Sequence, residues 1–137
     1  MKYSTDVEHP EKSSHSCLSP EVMKQLIAIY DDFAANISLI EKYNLKIAIE
    51  NHCDLFANEV IWLVEKLNHP LIGACCDTIN SLMLMEGIAD CVDRMAPYCY
   101  CVHFCDNRVF ADPDGTHSLG TAIGQGNVAV SYTHLRA

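Results

Sequence analysis

"IAIENHC", residues 47–53, begins as a buried strand and finishes in polar side chains that hydrogen-bond or bind metals. Two later stretches behave in the same way. "LIGACCDTIN" (71–80) runs through apolar and small residues into Asp77, and "YCYCVHFCDNR" (98–108) runs into His103 and Asp106. The intervals are nearly constant, 27 residues from Glu50 to Asp77 and 26 from Asp77 to His103. That spacing suits one strand plus one crossover helix each time.

The segments between these runs read as helices. Ser19 is an N-cap, Pro20 stands at the first helical position and Glu21 in the first turn. Val22, Leu26, Tyr30, Phe33, Ile37 and Ile40 then recur at helical spacing. Tyr43 and Asn44 close that helix, and Leu45–Glu50 is the first strand. A second helix starts within 54–58, carries Val60, Ile61, Val64 and Leu67 on one face, and ends at Asn68, His69 and Pro70. Leu71–Asp77 is the second strand. A third helix is expected over Ser81–Met95, weakened at Gly87, and Tyr98–Cys105 is the third strand. Residues 111–127, "ADPDGTHSLGTAIGQGN", read as a glycine-rich loop. Helix and strand alternate, so the sheet is parallel with outer helices.

Alternate residues of a strand share a face. Ala48 and Lys46 go with Glu50, Gly73 and Cys75 with Asp77, and Cys99 and Cys101 with His103. The bulkier Ile47, Ile49, Ile72, Tyr100, Val102 and Phe104 are expected on the other face, toward the helices. In a barrel the small face is the interior.

At 137 residues the chain is at most one domain, and a domain near this size hides about two thirds of its unfolded surface. A formal charge of −9 argues against nucleic acid and against an anionic membrane surface as partners. No run approaches the roughly 18 apolar residues of a membrane span. The polar start, "MKYSTDVEHPEKSSHS", shows no secretory signal, so a cytoplasmic location is expected. The eight cysteines include no C-x-x-C pair and read as reduced, small apolar residues; a soft-metal or redox cluster is the alternative.

Parallel α/β proteins place their sites at the carboxyl ends of strands. Glu50, Asp77 and His103 occupy three such ends with matched parity. Two carboxylates and an imidazole suit a divalent ion, Mn²⁺, Mg²⁺, Co²⁺ or Zn²⁺, with positions open for water or substrate.

"IAIENH", "CCDTIN", "CVHFCDNR" and "GTAIGQGNV", in this order and spacing, resemble the second half of the xylose-isomerase-like TIM barrels, the sugar phosphate isomerase/epimerase family. The resemblance covers about residues 19–129. It implies a partial (β/α)8 barrel of three to four β/α units; residues 1–18 before it are polar and read as an irregular segment. It also implies that Glu50, Asp77 and His103 are three of the family's four metal ligands, and that Glu50 is one of its acid/base carboxylates. His52, Asn80, Asp106 and Arg108 match positions that contact substrate or support the metal shell. Cys105 stands where the family often has Lys, and Asn80 where several epimerases have His; both departures bear on the substrate. The implied reaction is isomerisation or epimerisation of a small sugar or sugar phosphate by proton transfer through a metal-stabilised enediolate. The alternatives are an endonuclease-IV-like metal phosphodiesterase, against which the acidic charge speaks, and a non-catalytic metal-binding remnant of the barrel.

The last residues, "VSYTHLRA" (130–137), depart from the family pattern and read as a non-native tail. The family's fourth metal ligand, a Glu on the final strand, would follow "GQGNVA". A closed barrel takes about 250 residues. The chain is therefore expected to be a fragment, inactive by itself and prone to self-associate into homo-oligomers through open sheet edges.

Overall fold

A computed structural model of the chain describes residues 7–9 and 16–129. The expectations for most of the N-terminal segment and for the tail at 130–137 lie outside the described residues. Helix α1 spans Pro20–Lys42, and its N-terminus is capped by Ser19, whose hydroxyl accepts from the Val22 N–H at 3.4 Å. Strand β1 is Ile47–Glu50, helix α2 Ala57–Leu67 and strand β2 Ile72–Asp77. A 3₁₀ turn over Asn80–Leu84 leads to helix α3, Ile88–Met95. A second 3₁₀ turn, Ala96–Tyr98, leads to strand β3, Cys99–His103. Strands β4, Asn107–Asp112, and β5, Gly115–Gly120, follow.

Strands β1, β2 and β3 form one parallel sheet in that order. Sequential parallel neighbours joined by helices are the β/α units expected of a partial barrel. Helices α1, α2 and α3 cover one face. The core there joins Val22, Leu26 and Ile29 of α1 to Val60 and Leu63 of α2, Ile49, Ile72 and Ala74 of the sheet, and Met95 of α3. Burying large aliphatic side chains of this kind contributes about 1.5–3 kcal/mol each. Two buried carboxylates organise the start of α2. Glu59 accepts from the Phe56 N–H at 2.9 Å, and Glu86 accepts from the Ala57 N–H at 3.1 Å while also pairing with Arg94. These N–H groups are among those that a helix start leaves without intrahelical partners.

The structure corrects three expectations. The third helix is split, because Met85 takes a left-handed backbone (φ 60°) and Glu86 turns inward to α2 and Arg94. The segment over 111–127 is not simply a loop: β4 and β5 form an antiparallel hairpin around Asp112–Gly115, where Gly115 has φ 137°. Both strands are almost wholly exposed, so the segment lacks the apolar alternation that marks a half-buried strand.

The third correction concerns parity in β3. Cys99 pairs with Ala74 but Cys101 pairs with Cys75, so one extra residue, Tyr100, is inserted. A bulge of this kind resets which side chains share a face. Cys99 therefore packs with the helix-side core, not with Cys101 and His103. Tyr100 goes to the inner face, where its ring lies over Gly73; a Cβ on that glycine would stand 2.7 Å from the ring. Val102 keeps the expected outer face, but it is 56% exposed rather than packed against a helix.

Candidate functional site

The carboxyl ends of the three parallel strands bring three polar side chains together. His103 is in register with Asp77, and Glu50 with Cys75 on the same face. His103 Nδ1 lies 2.9 Å from Asp77 Oδ2 and 3.1 Å from Glu50 Oε1. Asp77 is almost fully buried, Glu50 partly exposed, and His103 the most open of the three.

Asp77 is fixed from two directions. Its Oδ1 accepts from the N–H groups of Ile79, at 2.9 Å, and Asn80, at 3.1 Å. Aspartate at this point of a turn holds its own backbone two and three residues on. Its main chain is held by Asn51, which is wholly buried: Asp77 N–H donates to Asn51 Oδ1 at 2.6 Å, and Asn51 Nδ2 donates to the Asp77 carbonyl at 3.0 Å. Only Oδ2 is left to turn toward His103.

Of the remaining residues matched to substrate or metal-shell positions, Asn80 is at the site, with Nδ2 3.4 Å from Glu50 Oε1 and Oδ1 3.5 Å from the Cys53 thiol. His52 is exposed one loop away, 3.7 Å from Asp54. Asp106 is buried and turned to main chain. Its carboxylate accepts from the N–H groups of Gly124 at 2.9 Å, Gly126 at 2.8 Å and Val128 at 3.0 Å. Burial alone would raise its pKa, but these backbone donors outweigh that and hold the carboxyl below the usual aspartate range. Asp106 thus binds the glycine-rich segment to the end of β3. Arg108 is exposed on β4, and no ion pair joins it to Glu50, Asp77 or His103 among the described residues.

Two residues that the sequence pattern did not assign to the site also contribute. One is Asn51, whose amide mimics a backbone pair and locks the end of β1 to the end of β2. The other is Cys105. Asp77, His103 and Cys105 each place a ligand atom within 4.8 Å of the others. Burial raises the Cys105 pKa, and the Asp77 and Glu50 carboxylates raise it further. The nearby Cys53 thiol is also raised, first by burial, with a backbone hydrogen bond opposing the rise and Asp77, Asp54 and Glu50 adding to it. Carboxylates converging on one imidazole nitrogen make a pocket of negative potential, and the donors are those that hold divalent ions. The residues present therefore fit a metal. A separate surface cavity of about 460 Å³ opens at the opposite end of the strands, between Asn68, Pro70, Pro97 and Tyr100, and contains none of these side chains.

Comparison with known proteins agrees with this architecture. Residues 7–137 match the family described as xylose isomerase-like TIM barrel. The chain is 28% identical over 112 residues to the uncharacterized protein YihM of Escherichia coli (strain K12), covering 80% of this chain and 34% of YihM. It superposes on the crystal structure of a xylose isomerase domain protein from Planctomyces limnophilus with a TM-score of 0.60 at 16% identity, covering 88% of this chain and 43% of that one. The chain therefore spans between a third and a half of the length of these relatives. No described helix is long and apolar enough to cross a membrane.

Proposed function

This chain belongs to the xylose isomerase-like TIM barrel family, and on that premise we propose that it is part of a divalent-metal-dependent isomerase or epimerase acting on a small sugar or sugar phosphate. The observation that carries this reading is the position of His103 Nδ1 between Asp77 Oδ2 and Glu50 Oε1, at the mouth of the parallel sheet. Glu50, Asp77 and His103 would hold the ion. When bound, the ion supplies positive charge where negative charge builds on a substrate oxygen as the neighbouring carbon loses a proton.

The chain's own residues account for the rest. Among the described residues, the contacts to Glu50 from Asn80 and His103 both fall on Oε1. Oε2 is left to take a proton from a substrate carbon as general base. Asn80 orients that carboxylate and offers an amide to a substrate hydroxyl. Isomerisation or epimerisation also needs a second proton-transfer group on the opposite side of the substrate, which in this reading comes from another strand of the complete barrel.

The test is solvent-deuterium incorporation into a panel of ketoses and ketose phosphates, using the full-length protein that carries this chain. Incorporation that depends on a divalent ion and disappears with chelator is expected. Metal-dependent cleavage of a phosphodiester with no incorporation into any sugar would overturn the reading in favour of a phosphodiesterase. The charge of −9 already weighs against that second chemistry.

A further inference from the structure

We propose that Cys105 is a metal ligand, and that Asp77, His103 and Cys105 form a mixed oxygen, nitrogen and sulfur site selecting Zn²⁺ or Co²⁺ over Mg²⁺ and Mn²⁺. The inference rests on the reading that an ion sits at this end of the sheet, and it adds a donor that the sequence pattern did not assign.

Three observations carry it. The ligand atoms of Asp77, His103 and Cys105 lie within 4.8 Å of one another. Donors around a tetrahedral zinc with bonds of about 2.0–2.3 Å stand roughly 3.3–3.8 Å apart, so small side-chain rotations bring all three onto one ion. Cys105 is also held in place. Thr78 Oγ1 donates to the Cys105 carbonyl at 2.6 Å and accepts from the Cys105 N–H at 3.0 Å, which fixes the residue opposite the end of β2. Finally, the Cys105 thiol is free and only part-exposed, on the same side of the strand ends as Asp77 and His103.

Donor chemistry then decides the metal. A thiolate is a soft ligand that Zn²⁺ and Co²⁺ accept, whereas Mg²⁺ and Mn²⁺ favour oxygen. Three protein ligands leave a tetrahedral ion one open position for water or a substrate oxygen, as in catalytic zinc sites. In this ligand set Cys105 replaces Glu50, which is released from the coordinating role given to it above. At 3.1 Å from His103 Nδ1 it can steer the imidazole from outside the first ring of donors and keep its basicity for proton transfer.

The experiment is anaerobic titration of the purified protein with Co²⁺, read by absorption, with Zn²⁺ affinity measured by competition against a chelating dye. One bound Co²⁺ with a near-ultraviolet sulfur-to-cobalt charge-transfer band is expected. Cys105→Ser and Cys105→Ala should both lose the band and bind Zn²⁺ more weakly. The drop should reach at least the ~10–100-fold cost of losing an outer-shell partner. Cys53→Ser should keep both signals, and His103→Ala should lose the ion. If Co²⁺ binds in a His103-dependent way without that band, or if both Cys105 variants keep it, Cys105 is not a ligand while the metal-centre reading stands. If the protein, folded by circular dichroism, takes up no Co²⁺ or Zn²⁺, both readings fall.

Discussion

The side chain of Asn51 forms a two-bond ring with the main chain of Asp77, donating to its carbonyl at 3.0 Å and accepting from its N–H at 2.6 Å. Neither partner is accessible to water. The amide thus extends the β1–β2 pairing by one rung beyond the strands, and the residue that gains from this rigidity is the acidic one at the mouth of the sheet.

Replacing Asn51 by Ala should cost about 2–4 kcal/mol, since two buried main-chain groups lose their partners. Asn51→Asp keeps the acceptor but sets a carboxylate oxygen against the Asp77 carbonyl, and should be no better. Urea unfolding followed by circular dichroism checks both. An Asn51→Ala midpoint equal to wild type would remove the ring from the list of stabilising contacts.

Glu50→Gln should leave the fold unchanged and lower solvent-deuterium incorporation by the full-length protein by about 10²–10⁴-fold, the usual contribution of a positioned base. The amide keeps the hydrogen-bonding outline facing Asn80 and His103 but cannot take up a proton. Incorporation at the wild-type rate would exclude Glu50 as the base.

Gly73→Ala should destabilise by about 1–3 kcal/mol, because its Cβ would stand 2.7 Å from the Tyr100 ring. The same substitution in a Tyr100→Ala background should cost clearly less. A double-mutant cycle reads the difference, and strict additivity would mean that Tyr100 does not lie over the glycine in solution.

Asp106 should make the 121–128 segment acid-sensitive. Its carboxyl is depressed in the folded chain, so the stability it contributes is complete above the ordinary aspartate pKa of about 3.9. That contribution fades as pH falls through the lower folded value. Amide chemical shifts of Gly124, Gly126 and Val128 should hold constant down to about pH 4 and move together below it. In Asp106→Asn they should be displaced at neutral pH and show no such acid step.

The β/α order, the three parallel strands and the convergence of Glu50, Asp77 and His103 at one end follow from features that a linear pattern carries: apolar runs, a proline stop after α2, and repeats of one β/α unit. What the pattern did not carry has physical reasons. The bulge at Tyr100 adds a single residue, and a period of two has no means of registering it in advance. The β4–β5 hairpin buries almost nothing, so the Asp114-Gly115 turn was its only local signal, and composition outweighed it. Cys105 lies beyond the last residue of β3. It reaches the site through the Thr78 clamp, a contact across 27 residues that neither helical nor strand spacing encodes. Asp106 and Cys105 are neighbours in sequence with opposite assignments, one turned to main chain and the other to the acidic cluster.

The two oxygens of Asp77 answer to different demands. Oδ1 belongs to the turn that starts the next segment, and Oδ2 faces the imidazole. Asparagine could preserve the turn but not the charge. Glutamate could preserve the charge, but its extra methylene takes the carboxylate out of reach of the Ile79 and Asn80 amides. This position is therefore closed to gradual change: each near-neighbour residue satisfies one demand by abandoning the other, and a lineage that gave up the chemistry here could keep the loop intact with a single-step drift to Asn.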